Sequence, residues 1–200
     1  MCYLCTLLQL LMKSFDSLGL SGQLVESIRQ LGFETPTPIQ EKAIPILLQG
    51  NLDFVGLAQT GTGKTAAFGL PLLELVDENN RATQALVIAP TRELSVQITN
   101  DLERFSASYK KLNIVTVYGG ASIRDQIIKV KRGAQIIVAT PGRLIDLLER
   151  KVVNLTTIQF IVLDEADEML NMGFKEDIDA ILSTTPEDKN VWLFSATMPR

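Results

Sequence analysis

The sequence contains no histidine in its 200 residues. Ser-His-Asp triads, Cys-His nucleophilic pairs and all metal sites with a histidine ligand are therefore excluded. The only cysteines, Cys2 and Cys5, form a single C-x-x-C, with no second pair to complete a zinc site and no thioredoxin-like sequence around it. A metal or redox role is disfavoured on that ground. A disulfide framework is excluded, and a reducing cytoplasm is the expected compartment.

A net positive charge is also lacking, since the formal net charge is -4. Any RNA or DNA binding must therefore come from a local patch or from oriented backbone donors. Long hydrophobic runs are scarce. Residues 1–12 are apolar and uncharged, but they are too short to span a bilayer and lack the features of a signal peptide. We expect no membrane segment and interpret residues 1–11 as an uninformative extension before Met12.

The apolar content is sufficient for one domain, with 46% of residues hydrophobic and 21% charged. Six nearly continuous apolar runs are typical of strands covered on both faces; they span residues 52–58, 85–89, 113–118, 135–139, 160–164 and 191–195. Helical patterns lie between them, near residues 63–77, 91–107, 121–131, 142–150 and 174–183. This alternation predicts an α/β fold, a parallel sheet with helices on both faces.

Two further features complete the predicted organisation. Residues 21–50 precede the first strand and are expected to form two helices, broken at Gly32 and by Pro36 and Pro38. Chemically distinctive residues follow the six strands, in the stretches QTGTGKT, PTRE, GG, TPGR, DEAD and SAT. Because ligands bind at the carboxyl ends of parallel strands, we expect these loops to face one edge of the sheet.

The loop after the first strand, residues 58–65, reads AQTGTGKT. Gly61 and Gly63 allow the backbone N–H groups to turn toward phosphate oxygens, Lys64 would pair with the β- and γ-phosphates, and Thr65 would ligate Mg²⁺. The usual phosphate-loop pattern has glycine where this chain has Ala58. A dinucleotide-binding loop fits the glycines but not the Lys-Thr pair, and a purely structural turn remains the other alternative.

The fifth run ends in Asp164 and Glu165. A magnesium nucleotide site needs an acid at the end of a neighbouring strand, so Asp164 would hold Mg²⁺ and Glu165 would orient or deprotonate the attacking water. Alternatively, both acids stabilise the start of the helix that begins at Ala166.

Together these motifs resemble those of the DEAD-box ATP-dependent RNA helicases of the bacterial type, specifically their first RecA-like domain. The resemblance runs from Phe15 to Arg200, through GFETPTPIQ, AQTGTGKT, PTRELSVQ, GG, TPGR, VLDEAD and SAT in the family order. Alanine at the position of Ala58 is common in that family, which favours the phosphate cradle.

The resemblance implies a RecA-like P-loop NTPase fold and the cofactors ATP and Mg²⁺. Gln40 would read adenine through its amide, which both donates and accepts. Phe15, seventeen residues before the motif's Gly32, would pack on the base. The implied ATP-binding residues are Phe15, Gln40, Ala58, Gln59, Thr60, Gly61, Thr62, Gly63, Lys64 and Thr65, with Lys64, Asp164 and Glu165 catalytic and Thr65 and Asp164 at the metal.

RNA is the partner that the resemblance implies. Thr91 and Arg92 begin one predicted helix, while Thr140 and Pro141 read as the cap and first residue of another. Helix N-termini bind phosphates whatever the base sequence. The family grips the RNA backbone with residues that correspond to Thr91, Arg92, Gly119, Gly120, Thr140, Pro141, Gly142 and Arg143. Structural salt bridges are the alternative for the two arginines.

The resemblance assigns Asp167, Ser195 and Thr197 to coupling between nucleotide state and RNA binding, although the last two can simply cap a helix. It divides the chain into residues 1–11, an adenine-recognition segment at 12–50 and a RecA-like domain at 51–200. The family's second RecA-like domain, with its arginine fingers, is absent from these residues. The expectation is a truncated helicase that binds Mg-nucleotide and is nearly inert in turnover.

Two other functions remain open at this point. A non-catalytic, nucleotide-dependent half-domain that binds RNA or a protein partner is disfavoured by the intact Glu165, because binding alone needs no water activator. A GTPase or kinase-like enzyme is disfavoured by the lack of N-K-x-D and by Gln40, which suits adenine.

Overall fold

A computed structural model describes residues 14–197. The predictions for residues 1–11, for Cys2 and Cys5 and for a start at Met12 lie outside this range. The described residues form a six-stranded sheet in which every pair of neighbours is parallel. Its strand order is β1-β6-β5-β2-β4-β3. The strands are β1 (Phe54–Leu57), β2 (Ala85–Ile88), β3 (Ile114–Val117), β4 (Ile136–Ala139), β5 (Phe160–Leu163) and β6 (Asn190–Ser195).

Helices cover both faces of the sheet, as the continuous apolar strands require. A short 3₁₀ helix at Phe15–Leu18 comes first. The α-helices are α1 (Gly22–Gln30), α2 (Pro38–Leu47), α3 (Lys64–Leu75), α4 (Arg92–Phe105), α5 (Ile123–Lys131), α6 (Pro141–Glu149), α7 (Ala166–Asn171) and α8 (Lys175–Leu182).

Successive strand residues point to opposite faces and so enter two separate cores. In β2, Ala85 and Val87 join the core that contains α1 to α4, and Leu86 and Ile88 join the core that contains α5 to α8. The same alternation occurs in β4 and β5. The α/β fold with a parallel sheet and helices on both faces is thereby confirmed.

The segment before the sheet differs from its prediction in one respect. Helix α1 ends at Gln30 and the chain turns at Gly32, which has a φ of 87°. Pro38 does not break a helix but is the first residue of α2, where its missing N–H has no intrahelical partner to lose. Helix α2 packs against α3, so this segment lies beside the helix that begins at the phosphate loop.

No helix within residues 14–197 combines the length and the apolar character that crossing a bilayer requires.

Candidate nucleotide and RNA site

The strand order divides the six loops at the carboxyl edge of the sheet into two groups. Strands β1, β6 and β5 are consecutive neighbours, and they lead into the AQTGTGKT loop, SAT and DEAD. Strands β2, β4 and β3 form the other half and lead into PTRE, TPGR and GG. The groups therefore lie side by side along one edge.

The loop between β1 and α3 has the backbone of a phosphate cradle. Gly61 and Gly63 have φ values of 81° and 88°, which glycine adopts without the steric cost that other residues incur. The backbone N–H groups from Gly61 to Thr65 donate to no acceptor within residues 14–197. These donors at the start of α3 fit the oxygens of an anion.

Lys64 supplies a buried positive charge to this cradle. Its side chain is 6% exposed, and its Nζ atom lies 3.6 Å from Oδ1 of Asp164. Within the described part of the chain, that Nζ makes no hydrogen bond. A buried ammonium group with unused donors is costly unless a ligand satisfies them. Lys64 therefore fits a bound phosphate.

Asp164 lies at the end of β5, where it is 2% exposed. Burial raises the pKa of its carboxyl to about 6, against the opposing effect of Lys64, and the charge of Glu165 raises it further. The backbone N–H of Glu165 donates to Oδ1 at 3.0 Å. The carboxylate of Asp164 and the hydroxyl of Thr65 are the hard oxygen donors that Mg²⁺ prefers.

Glu165 has an unusual backbone conformation, with φ 53° and ψ 50°. A residue other than glycine rarely occupies this left-handed region, and such strain is concentrated at functional sites. The Thr60 hydroxyl donates to Oε1 of Glu165 at 3.3 Å. This contact joins the phosphate loop to the loop that carries both acids.

Gln40 makes contacts that the sequence did not predict. Its Oε1 accepts from the Thr37 N–H at 2.9 Å, and its Nε2 donates to the Gly63 carbonyl at 3.0 Å. A Cβ atom on Gly63 would lie 2.4 Å from this Nε2, so glycine is also required there for the approach of Gln40. The amide retains one N–H and one lone pair, and Gln40 is only 2% exposed.

A cavity of about 270 Å³ extends from the phosphate loop along α4. Besides the loop, Asp164 and Glu165, it is lined by Phe33, Leu94, Gln97, Asp101 and Phe105, none of which was predicted. The residues that line the cavity do not form a sequence motif with fixed spacing, so only the tertiary packing reveals the cavity. The spacing of Leu94, Gln97, Asp101 and Phe105 indicates one shared helix face, but it does not indicate that this face lines a cavity.

Phe15 lies behind this cavity and does not line it. It is 2% exposed, and its ring packs against Phe33 with centroids 6.3 Å apart. Phe33 also makes an edge contact with Phe105 at 5.5 Å. Phe33 and Phe105 are thus the rings that face the cavity, and Phe15 supports Phe33 from behind.

A second depression, of about 430 Å³, brings together residues from three of the predicted RNA-binding loops. Its lining comprises Pro90, Arg92, Gly119, Thr140, Gly142, Arg143 and Phe174. Thr91 caps α4 by accepting from the Leu94 N–H at 3.2 Å. Pro141 is the first residue of α6, as predicted. Gly120, with a φ of 79°, forms the turn after β3.

The two arginines at this depression differ in their partners. Arg92 is exposed, and its guanidinium lies 4.8 Å from the centroid of the Tyr118 ring. The Arg143 side chain is only 12% exposed. It donates to the Ala121 carbonyl at 3.2 Å and to Oε1 of Gln126 at 3.1 Å. Arg143 therefore holds the loop after β3 in place.

The SAT motif contacts the DEAD motif directly. The Thr197 N–H and hydroxyl donate to Oδ2 of Asp167 at 2.9 Å and 2.8 Å. Although partial burial acts in the opposite direction, hydrogen bonds from Thr197 and Ser195 lower the pKa of the Asp167 carboxyl. The structure thus joins the three residues for which a coupling role was expected, whereas the residues that Ser195 or Thr197 could cap lie outside the described range.

Comparisons with known proteins give one consistent result. A profile described as DEAD/DEAH box helicase matches residues 37–200. The DEAD-box ATP-dependent RNA helicase CshA of Streptococcus pneumoniae serotype 4 is 56% identical over 185 residues, which cover 92% of this chain and 35% of that protein. CshA of Geobacillus kaustophilus is 52% identical over 188 residues, which cover 94% of this chain and 40% of that protein.

The crystal structure of a DEAD box protein from Methanococcus jannaschii has a TM-score of 0.88 and 47% identity, and the match covers 94% of this chain and 51% of that one. The chain thus spans between about a third and a half of the length of these relatives.

Proposed function

Because this chain belongs to the DEAD/DEAH box helicase family, we propose that it forms the ATP-binding half of an ATP-dependent RNA helicase. The buried ammonium of Lys64 carries this proposal. It lies in a glycine cradle with unused donors, beside Asp164 and Glu165. Within residues 14–197 its Nζ makes no hydrogen bond, and its ion partner is the Asp164 carboxylate 3.6 Å away.

The nucleotide phosphates bind at the N–H groups of residues 61–65 and at Lys64. Thr65 and Asp164 hold Mg²⁺, which neutralises charge on the phosphates when bound. Glu165 accepts a proton from the attacking water or orients it. Its tie to Thr60 keeps this carboxylate beside the phosphate loop.

The base binds near Phe33, which Phe15 supports from behind. Gln40 uses the remaining N–H and lone pair of its amide to read adenine. Because the same amide holds the Gly63 carbonyl, adenine recognition and the shape of the phosphate loop involve one side chain.

RNA binds through its phosphates at the depression beside β2, β4 and β3. Arg92 and the N-termini of α4 and α6 provide charge and N–H donors. Gly119, Gly120 and Gly142 border open space, and because they have no side chain, a phosphate can approach their backbone closely. Arg143 positions the loop after β3, which carries Gly119 and Gly120. Such contacts read no base sequence.

Asp167 links the two functions, since it lies in the DEAD motif and binds Thr197 of SAT. Together with a second RecA-like domain, the two sites couple ATP hydrolysis to local RNA unwinding.

Titration calorimetry with Mg-ADP tests the nucleotide site. The Lys64→Met variant should bind at least about tenfold more weakly, because a charge-assisted hydrogen bond contributes roughly 1.5–3 kcal/mol and tenfold corresponds to about 1.4 kcal/mol. Lys42→Met, on the exposed surface of α2, is the matched control. Equal affinity in all three proteins would contradict the proposed nucleotide site.

A further inference from the structure

One face of α4 forms a wall of the nucleotide cavity. Leu94, Gln97, Asp101 and Phe105 line the cavity, and their spacing of three, four and four residues aligns them along the helix. At 1.5 Å per residue, this wall is about 16 Å long. It is therefore long enough to follow a nucleotide from its phosphates to its base.

The two ends of the wall differ in chemistry. The phosphate loop, Asp164 and Glu165 line the cavity, and so do the aromatic rings of Phe33 and Phe105, which meet edge to face. Asp101 precedes Phe105 by one helical turn and follows Gln97 by another. A nucleotide with its phosphates on the loop and its base at Phe33 therefore presents its sugar to this part of α4.

Asp101 has unused acceptors in this position. Its side chain is 25% exposed, and Nη1 of Arg104 lies 3.8 Å from Oδ1, with the arginine itself 60% exposed. No donor within residues 14–197 makes a hydrogen bond to the Asp101 carboxylate. Burial raises the pKa of this carboxyl despite the nearby Arg104. Both observations describe a carboxylate that accepts no hydrogen bond from the described residues and has the exposed Arg104 as its ion partner.

The ribose is the part of a nucleotide that can donate hydrogen bonds to the Asp101 carboxylate. A carboxylate only accepts hydrogen bonds, and the ribose hydroxyls are the donors between the phosphates and the base. Acids bind ribose hydroxyls in the same way in dinucleotide-binding folds. The Gln97 amide, one turn away, can both donate and accept.

We propose that Asp101, assisted by Gln97, binds the ribose hydroxyls of the nucleotide and so selects ribonucleotides over deoxyribonucleotides. This inference rests on the proposed nucleotide site and adds its sugar specificity. Asp101 is here a specificity-determining residue with no part in the phosphate chemistry.

Calorimetry with Mg-ADP, Mg-2′-deoxy-ADP and Mg-3′-deoxy-ADP tests the inference. The wild-type chain should bind at least one deoxy analogue about tenfold more weakly than ADP, as expected for the loss of one hydrogen bond to a charged group. Asp101→Ala should bind ADP about tenfold more weakly and no longer distinguish the analogues. Glu103→Ala is the matched control, because Glu103 is an exposed acid of α4 outside this cavity.

Inorganic pyrophosphate with Mg²⁺ separates a sugar contact from general damage. Asp101→Ala should bind it as the wild type does, since pyrophosphate has no sugar. An equal loss for pyrophosphate and ADP would overturn the inference, as would unchanged discrimination in the variant. If ADP binding depends on Lys64 while Asp101→Ala changes nothing, the nucleotide site stands and its sugar contact does not. If the wild type binds no nucleotide, both proposals fail.

Discussion

Asp164 shows how burial sets the chemistry of one residue. The sheet places its carboxyl at 2% exposure, and the pKa rises to about 6 from an ordinary value of 3.8. Lys64 offsets only part of this effect. The ionised carboxylate is therefore destabilising without a ligand, and a bound cation would relieve that cost.

The raised pKa predicts a pH dependence of stability in the chain without metal or nucleotide. Between about pH 4 and about pH 6 the folded state binds more protons than the unfolded state, so the contribution of Asp164 to the free energy of unfolding falls as pH rises. Relative to Asp164→Asn, the wild type should lose up to about 3 kcal/mol over this range.

Urea unfolding of both proteins across this pH range measures the effect. The variant also removes the ion partner of Lys64, which shifts its free energy of unfolding at every pH. The test is therefore how the difference in free energy of unfolding between the two proteins changes with pH. A difference that stays constant, or that favours the wild type as pH rises, would contradict a raised pKa.

Gln40 combines a structural contact with the proposed adenine contact. Gln40→Ala removes the hydrogen bond to Gly63, so we expect about tenfold weaker Mg-ADP binding. It should also reduce the preference for Mg-ADP over Mg-GDP toward one, because no amide remains to read the base. Gln30→Ala, on α1, is the control. An equal loss of affinity for Mg-ADP and Mg-GDP would mean that Gln40 supports the phosphate loop but does not read the base.

At the scale of elements, close packing of aromatic rings holds β1 against the neighbouring strand β6. A Cβ atom on Gly56 would lie 2.8 Å from the Phe54 ring and 2.9 Å from the Phe194 ring. Gly56→Ala should therefore lower the free energy of unfolding by roughly 1–3 kcal/mol through overpacking. In Gly22→Ala the new methyl group meets no atom within 4 Å, so this control should be at least as stable as the wild type in urea, with a gain of up to about 1 kcal/mol. Equal stability of both variants would show that β1 can shift at little cost.

The elements themselves were largely predictable from the sequence. All six strands lie at the predicted apolar runs, because continuous hydrophobicity is a local property of a buried parallel strand. Thr140 and Pro141 predicted the start of α6 from capping chemistry alone. Pro38 was misread as a helix breaker, since the same residue can end one helix or begin another.

The site residues were predictable only where a motif carries them. Gly61, Lys64 and Asp164 have fixed spacings and lie together as expected. The contact of Gln40 with Gly63, the support of a loop by Arg143 and the cavity wall on α4 depend on packing between distant segments. No local pattern encodes these approaches, so the sequence could not reveal them.

For the whole molecule, the strand order places the proposed nucleotide half beside the proposed RNA half. Arg92 is an exposed cation of the proposed RNA half. Arg92→Ala should weaken binding of two unrelated single-stranded RNAs equally, and the slope of log affinity against log salt should fall in magnitude by about 0.7 for one lost phosphate contact. Arg132→Ala, at the end of α5, is the control. A loss confined to one RNA sequence would contradict a backbone grip.

The nucleotide half contains one cationic side chain, Lys64, among the described residues that line its cavity, and it contains no arginine there. Phosphoryl transfer in related enzymes gains about 10³–10⁵ in rate from an arginine finger. We therefore predict that the proposed nucleotide site needs a second domain for turnover.

The most direct test is the ATP hydrolysis rate of the 200-residue chain with and without single-stranded RNA, in a sample whose Mg-ADP binding has been confirmed. We predict a rate near background that RNA does not change. A clearly RNA-stimulated rate would contradict this prediction and show that the chain is an autonomous or self-assembling ATPase.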